Sequence, residues 1–109
     1  MSSTNSNNSL AAPMRFPCGL SMPNRFALAP MTNCQSHPDG QLSDDEFHWL
    51  TMRAKGNFGL TMTCAAHVQK NGQGFPGQLG IFSDDLLDGH KRLAQAIKAE
   101  GSLAVIQLH

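Results

Sequence analysis

Three groups of residues in this chain have the types and placement to do chemistry. The first closes the run Asn24-Arg25-Phe26-Ala27-Leu28-Ala29-Pro30-Met31-Thr32, an almost uncharged apolar stretch that breaks at a proline and ends in a hydroxyl. A short apolar run bounded by turn residues reads as a strand buried on both faces, as in parallel sheets. Pro30 cannot donate to a ladder, so the strand ends there. Met31 and Thr32 then lie just past the C-terminal end of a core strand, where open α/β sheets and α/β barrels keep their ligand sites. The plainer reading of Thr32 is a turn residue that satisfies local backbone. The second is Gln107, whose amide sits on what reads as a buried strand and must find partners there; a core glutamine facing a neighbouring strand is the alternative. The third is a repeated Cys-x-x-His spacing, Cys34 with His37 and Cys64 with His67. These are the ligand types of a Cys2His2 zinc site, but the pairs are far apart and lack tight knuckle residues. Cys64 reads equally as a small hydrophobe in a strand, with His37 and His67 in loops.

The bulk numbers narrow the classes of function. The chain has 109 residues, a formal net charge of zero and a pI near 6.9. Without a basic stripe, neither nucleic acid nor an anionic membrane surface is an expected partner. The longest apolar runs are far too short to span a bilayer. Met1 to Ala12 is Ser/Asn-rich with neither a basic nor an apolar region, so it is no signal peptide; residues 1–13 read as a disordered tail. Three cysteines without a secretion signal argue for reduced thiols and a cytoplasmic location. The chain has no Tyr, so a mechanism that needs a tyrosine proton donor is not complete within it.

The elements that must position these residues follow from local signals. Phe16 to Asn24 has turn residues every few positions and reads as a hairpin or loop leading into a first core strand, Arg25 to Ala29. Pro38-Asp39-Gly40 marks a turn. Ser43-Asp44-Asp45-Glu46 reads as a capping box, with Ser43 on the N3 amide and Glu46 reaching back. The helix that follows runs to Lys55, with Phe47, Leu50 and Ala54 on one face, and closes at Gly56. Phe58 to Ala65 is the second strand. Gln69 to Gly80 is a long glycine-rich loop, and such loops inside a domain are usually functional. Ser83-Asp84-Asp85 starts a second helix carrying Leu86, His90, Leu93, Ala94 and Ile97, which Gly101 ends. Leu103 to Leu108 is the third strand. Strands alternating with helices predict right-handed βαβ units and a parallel sheet. His48, Trp49 and His90 read as helix residues at a core or partner face, and Met22, Met31, Met52 and Met62 as fillers of core gaps. His109 is assigned no role. The stop after a buried strand reads as the first part of something larger.

From Met14 to His109 the sequence resembles the N-terminal part of the Old Yellow Enzyme family, the FMN-dependent NAD(P)H:flavin oxidoreductases and ene-reductases. The matching pieces are Leu20-Ser21-Met22-Pro23-Asn24-Arg25, Ala29-Pro30-Met31-Thr32, Phe58-Gly59-Leu60 and Leu79-Gly80-Ile81-Phe82-Ser83-Asp84-Asp85. The last is Ile106-Gln107-Leu108-His109, which looks like the opening of the family's Gln-Leu-x-His signature. Each is weakly specific alone; in order and spacing they are specific together. The resemblance implies an α/β fold, the hairpin plus βαβαβ opening of an FMN-binding (β/α)8 TIM barrel spanning residues 14–109. A whole barrel takes about 250 residues. It also implies FMN as cofactor, NAD(P)H as reductant and an activated alkene, such as an α,β-unsaturated carbonyl compound, as substrate. Ala29, Pro30, Met31, Thr32, Ala65 and Gln107 would contact the isoalloxazine ring. Cys34 falls where some members place a substrate-facing tyrosine, a departure from the family pattern on the substrate side. The substrate-binding His/Asn pair, any tyrosine-type proton donor and the phosphate-binding elements would lie beyond residue 109, so no catalytic residue is assigned here. The isolated chain is expected to be inactive and to expose an open sheet edge prone to aggregation. The rival readings are a non-catalytic split-barrel partner of the missing C-terminal portion and, less favoured, a small zinc-binding module.

Overall fold

The computed structural model describes residues 9–109. Most of the stretch read as a tail, residues 1–8, lies outside them. Residues 9–12 form a turn, and the Leu10 carbonyl accepts from the Arg25 amide at 2.9 Å. Next comes a small antiparallel hairpin of β1 (Met14–Arg15) and β2 (Ser21–Met22), in register Met14 to Met22.

The main sheet is parallel, in the order β3 (Ala27–Leu28), β4 (Leu60–Ala66), β5 (Leu103–Leu108). Helix α1 (Asp44–Lys55) connects the first pair and α2 (Leu87–Ala99) the second. This is the βαβαβ order the sequence predicts, and β5 covers the expected span.

The other boundaries moved for identifiable reasons. β3 is shorter than expected because the Arg25 and Phe26 amides bond Leu10 O and Asn24 Oδ1 instead of a neighbouring strand. Asn24 Oδ1 also accepts from the Gly59 amide at 3.0 Å, so β4 starts at Leu60 and not at Phe58. Asn24 Nδ2 donates to Asn57 O, which makes this one side chain a clamp between the beginnings of two strands. A Cβ on Gly59 would stand 2.4 Å from the Asn24 carbonyl oxygen, so only glycine allows the approach.

The Ser43 hydroxyl accepts from the Glu46 amide at 3.0 Å, the cap expected for α1, and Gly56 closes that helix. Ser83 makes no such bond: Asp84–Leu86 is a 3-10 turn, and α2 proper begins at Leu87. Gly101 ends the helix at φ +85°, a conformation glycine adopts without a steric penalty.

The core lies between the sheet and the two helices. Leu28, Leu50, Ala54, Leu93 and Ile97 form one buried cluster, and Cys64, Ala66 and Leu79 a second nearer the C-terminal strand ends. Burying Leu50 or Ile97 stabilises the fold by roughly 1.5–3 kcal/mol each. Among the four methionines read as core fillers, only Met22 is buried; Met31 and Met52 are 48% and 44% exposed. The helices cover one face of the sheet, and the described residues leave its other face open.

Candidate functional site

Parallel strands bring their C-terminal ends to one edge of the sheet. There the structure places Ala29 to Thr32 just past β3, Ala65 near the end of β4 and Gln107 near the end of β5. Ala65 and Gln107 are direct partners across β4 and β5.

Which face they share is decided by a bulge. Pairing runs Met62 with Val105 and then Ala65 with Gln107, so β4 spends one residue more than β5. Strict alternation would put Ala65 on the same side as Thr61 and Thr63. With the extra residue, Thr63 and Cys64 are both buried toward the helices and Ala65 returns to the open side with Leu60 and Met62. Bulges re-aim side chains in this way next to functional sites. The Thr63 hydroxyl holds the irregularity, donating to Cys64 O at 2.8 Å and accepting from the Gln107 amide at 3.3 Å.

The open face carries small residues and uncommitted polar groups. Ala29, Met31, Thr32 and Gln107 are exposed, and Pro30 and Ala65 half-buried. The sequence places Gln107 on a buried strand, where its amide must find partners. It is exposed instead, and its side chain makes no hydrogen bond among the described residues, because nothing in them covers that side of the sheet. A Gln amide offers a donor and an acceptor in one plane and a Thr hydroxyl offers both, a set that fits the alternating donors and acceptors of a flavin pyrimidine edge. Small residues beside them let a flat ring approach the backbone.

Behind this face lies a layer of buried polar side chains. Gln78 is fully buried; its Nε2 donates to Ala65 O at 3.0 Å and lies 3.2 Å from His109 Nδ1, while its Oε1 accepts from the Gly74 amide at 2.7 Å. It therefore ties the glycine-rich loop to the ends of β4 and β5. Its length and glycine content mark that loop as functional, but no local pattern distinguishes Gln78 within it. The loop also meets the one after β3, with the Ser36 amide on Gly77 O at 3.0 Å and the Gly80 amide on Gly40 O at 3.0 Å. Gly77 has φ +80°, and a Cβ there would stand 2.5 Å from the Cys34 carbonyl oxygen.

Glu46, expected to reach back to its own helix cap, turns inward instead. It is fully buried and accepts from the Ser36 hydroxyl, from the Cys64 thiol at 3.1 Å and from Asn33 Nδ2 at 3.5 Å. Burial, then the Glu46 charge and its hydrogen bond push the Cys64 thiol up from 9.0 to about 12.

These positions break up the zinc reading. Cys34 and His37 are exposed, while Cys64 is buried with its proton committed to Glu46; a metal needs the thiolate. His67 is no loop residue at the surface: it is buried at the end of β4, with Nδ1 2.8 Å from Gln69 O and its ring stacked on Phe82 at 5.1 Å. Among the described residues no group of three or more His, Cys, Asp or Glu could hold a metal ion. His90 bonds the Gly80 carbonyl through Nε2 at 2.7 Å, joining α2 to the glycine-rich loop.

Residues 9–109 match the NADH:flavin oxidoreductase / NADH oxidase family. The chain belongs to this family. The Bacillus subtilis (strain 168) protein named probable NADH-dependent flavin oxidoreductase YqiG is 42% identical over 100 residues, 92% of this chain and 27% of its own length. The NADH:fumarate oxidoreductase of Klebsiella pneumoniae (strain 342) is 34% identical over 95% of this chain and 11% of that protein. The solved Old Yellow Enzyme homologue of Zymomonas mobilis superposes with a TM-score of 0.82 at 29% identity, covering 92% of this chain and 27% of that one. The chain thus spans about a quarter, or less, of the proteins it matches. Within the family its hairpin and βαβαβ unit are the N-terminal part of a (β/α)8 barrel, and the open side of the sheet is the side that faces the barrel axis. The family's cofactor is FMN, with NAD(P)H as reductant.

Proposed function

We propose that residues 14–109 form one wall of the FMN site in an NAD(P)H-dependent oxidoreductase of the ene-reductase type, acting in the cytoplasm on an activated alkene. The observation that carries this is the convergence of Ala29 to Thr32, Ala65 and the uncommitted Gln107 amide on one open face at the C-terminal strand ends. When bound, FMN would supply hydride transfer, accepting it from NAD(P)H and passing it to the β-carbon of the alkene. Gln107 would pair with the pyrimidine edge. Thr32 would donate a hydrogen bond near the C4 carbonyl, favouring the more negative reduced ring, and Ala65 would keep the backbone close. Cys34, exposed and at φ 52°, would stand at the substrate side. The name of the Klebsiella relative supports the substrate class, since fumarate is an alkene conjugated to carboxylates.

Three strands cannot close a barrel, so the activity requires the remaining βα units. The open side of the sheet also supports a reading in which those units come from a separate chain; co-purification with such a polypeptide distinguishes the two arrangements. Replacing Gln107 by Leu in the assembled barrel tests the site. FMN binding should weaken by about 1–3 kcal/mol, the range for leaving polar partners unpaired, as read from flavin fluorescence during titration. Unchanged affinity would remove Gln107 from the site. Isolated 1–109 with flavin absorbance and NADPH-dependent enone reduction would overturn the requirement for the rest of the barrel.

A further inference from the structure

Glu46 is the only Asp, Glu, Lys or Arg that is buried among the described residues, and no cation lies within ion-pair distance of it; the one ion pair there joins Arg92 to Asp44. Its carboxylate is met only by neutral donors: Ser36 Oγ, Cys64 Sγ and Asn33 Nδ2. It sits in the first turn of the 12-residue α1, whose exposed backbone amides favour negative charge. A buried charge paired this way is a costly filling for a core position, since an apolar side chain of similar volume is often neutral or stabilising there. The position of the donors gives the carboxylate a different task. Asn33 directly follows Thr32, Ser36 stands three residues further on in the same loop after β3, and Cys64 immediately precedes Ala65 in β4. One side chain, on a third element, therefore grips both segments that form the flavin-facing edge.

We propose that Glu46 is a positioning residue of the flavin site. Its carboxylate sets the spacing of the Met31–Thr32 and Ala65 walls and places a fixed negative charge behind them. The proposal rests on the FMN reading above. Neutralising this charge makes it easier for the flavin to gain negative charge on reduction.

The test compares Glu46→Gln with the unsubstituted protein in the complete barrel that contains residues 1–109, using FMN itself as the probe. FMN should bind at least tenfold more weakly, a difference of about 1.4 kcal/mol. The midpoint potential of the bound flavin should shift to more positive values and its visible absorption band should move, while the thermal unfolding of the apoprotein changes little. A folded Glu46→Gln protein with FMN affinity within twofold of the parent and the same midpoint potential overturns the proposal, even if its apoprotein is less stable. Should that variant not fold, Ser36→Ala decides: it keeps the charge and deletes one donor, so affinity should fall several-fold, and unchanged affinity overturns the proposal. If the unsubstituted barrel takes up no FMN, the underlying FMN reading fails and the proposal falls with it. If the parent binds and Glu46→Gln binds equally, only the proposal falls.

Discussion

The Cys64 thiol shows how one buried residue writes itself into the behaviour of the fold. Its pKa rises from 9.0 in the unfolded chain to about 12 in the folded one, first through burial and then through Glu46. Between those values the folded protein holds a proton that the unfolded chain has lost, so stability falls as pH rises. The contribution is complete below pH 9 and is lost as pH rises toward about 12. Denaturant unfolding followed across this window should show that decline, and Cys64→Ala should lack it. The same burial separates the three thiols kinetically: Cys18 and Cys34 are exposed and Cys64 is not. Alkylation at neutral pH followed by mass spectrometry should therefore label the first two in the native protein and the third only after unfolding. A native protein alkylated at Cys64 as fast as at Cys34 would contradict the buried Glu46–Cys64 pair.

Among the elements, β4 does the most to shape the site. Its bulge turns Ala65 to the open side and leaves two polar groups, Cys64 O and the Gln107 amide, that depend on the Thr63 hydroxyl. Valine has nearly the shape of threonine but cannot serve either group. Thr63→Val should therefore destabilise the fold by about 1–3 kcal/mol, measured by chemical denaturation, and should loosen the Ala65–Gln107 pair more than the regular pairing at Leu60 to Met62. Equal hydrogen-exchange protection along the whole of β4 in the variant would show that the hydroxyl does not hold the bulge. The helices are simpler. α1 begins at its serine cap and stops at Gly56 because capping acts within a few residues, which is also why its limits were legible from sequence. α2 begins later than its Ser-Asp-Asp signal because Ser83 does not cap and the first turn tightens into a 3-10 form.

For the molecule as a whole, the unpartnered side of the sheet governs what the chain can do alone. Leu60, Met62 and Val105 on that side are only half-buried, Met31 just past β3 is 48% exposed, and β5 is an edge strand. Unpaired edges and apolar surface of this kind drive association. Purified 1–109 should self-associate in size-exclusion chromatography and bind little FMN, and supplying the remaining βα units should restore a discrete species with flavin absorbance. A monodisperse monomer of 1–109 would mean that the open side is covered in some other way. The sequence by itself determined the order of the elements, the parallel sheet, the span of β5, the limits of α1 and the strand ends where the flavin-facing candidates stand. Those features rest on apolar periodicity, caps and turn residues, all of which act over a few positions. Tertiary structure alone decided the rest. Glu46 meets partners 10, 13 and 18 residues away, and Gln78 meets Ala65 and His109 at separations of 13 and 31. The bulge that chooses Ala65 over Cys64 exists only in the pairing of β4 with β5. The exposure of Gln107 depends on which surfaces are available to cover it. No local pattern encodes such relations, because a side chain's partner is fixed by where the backbone brings distant segments together.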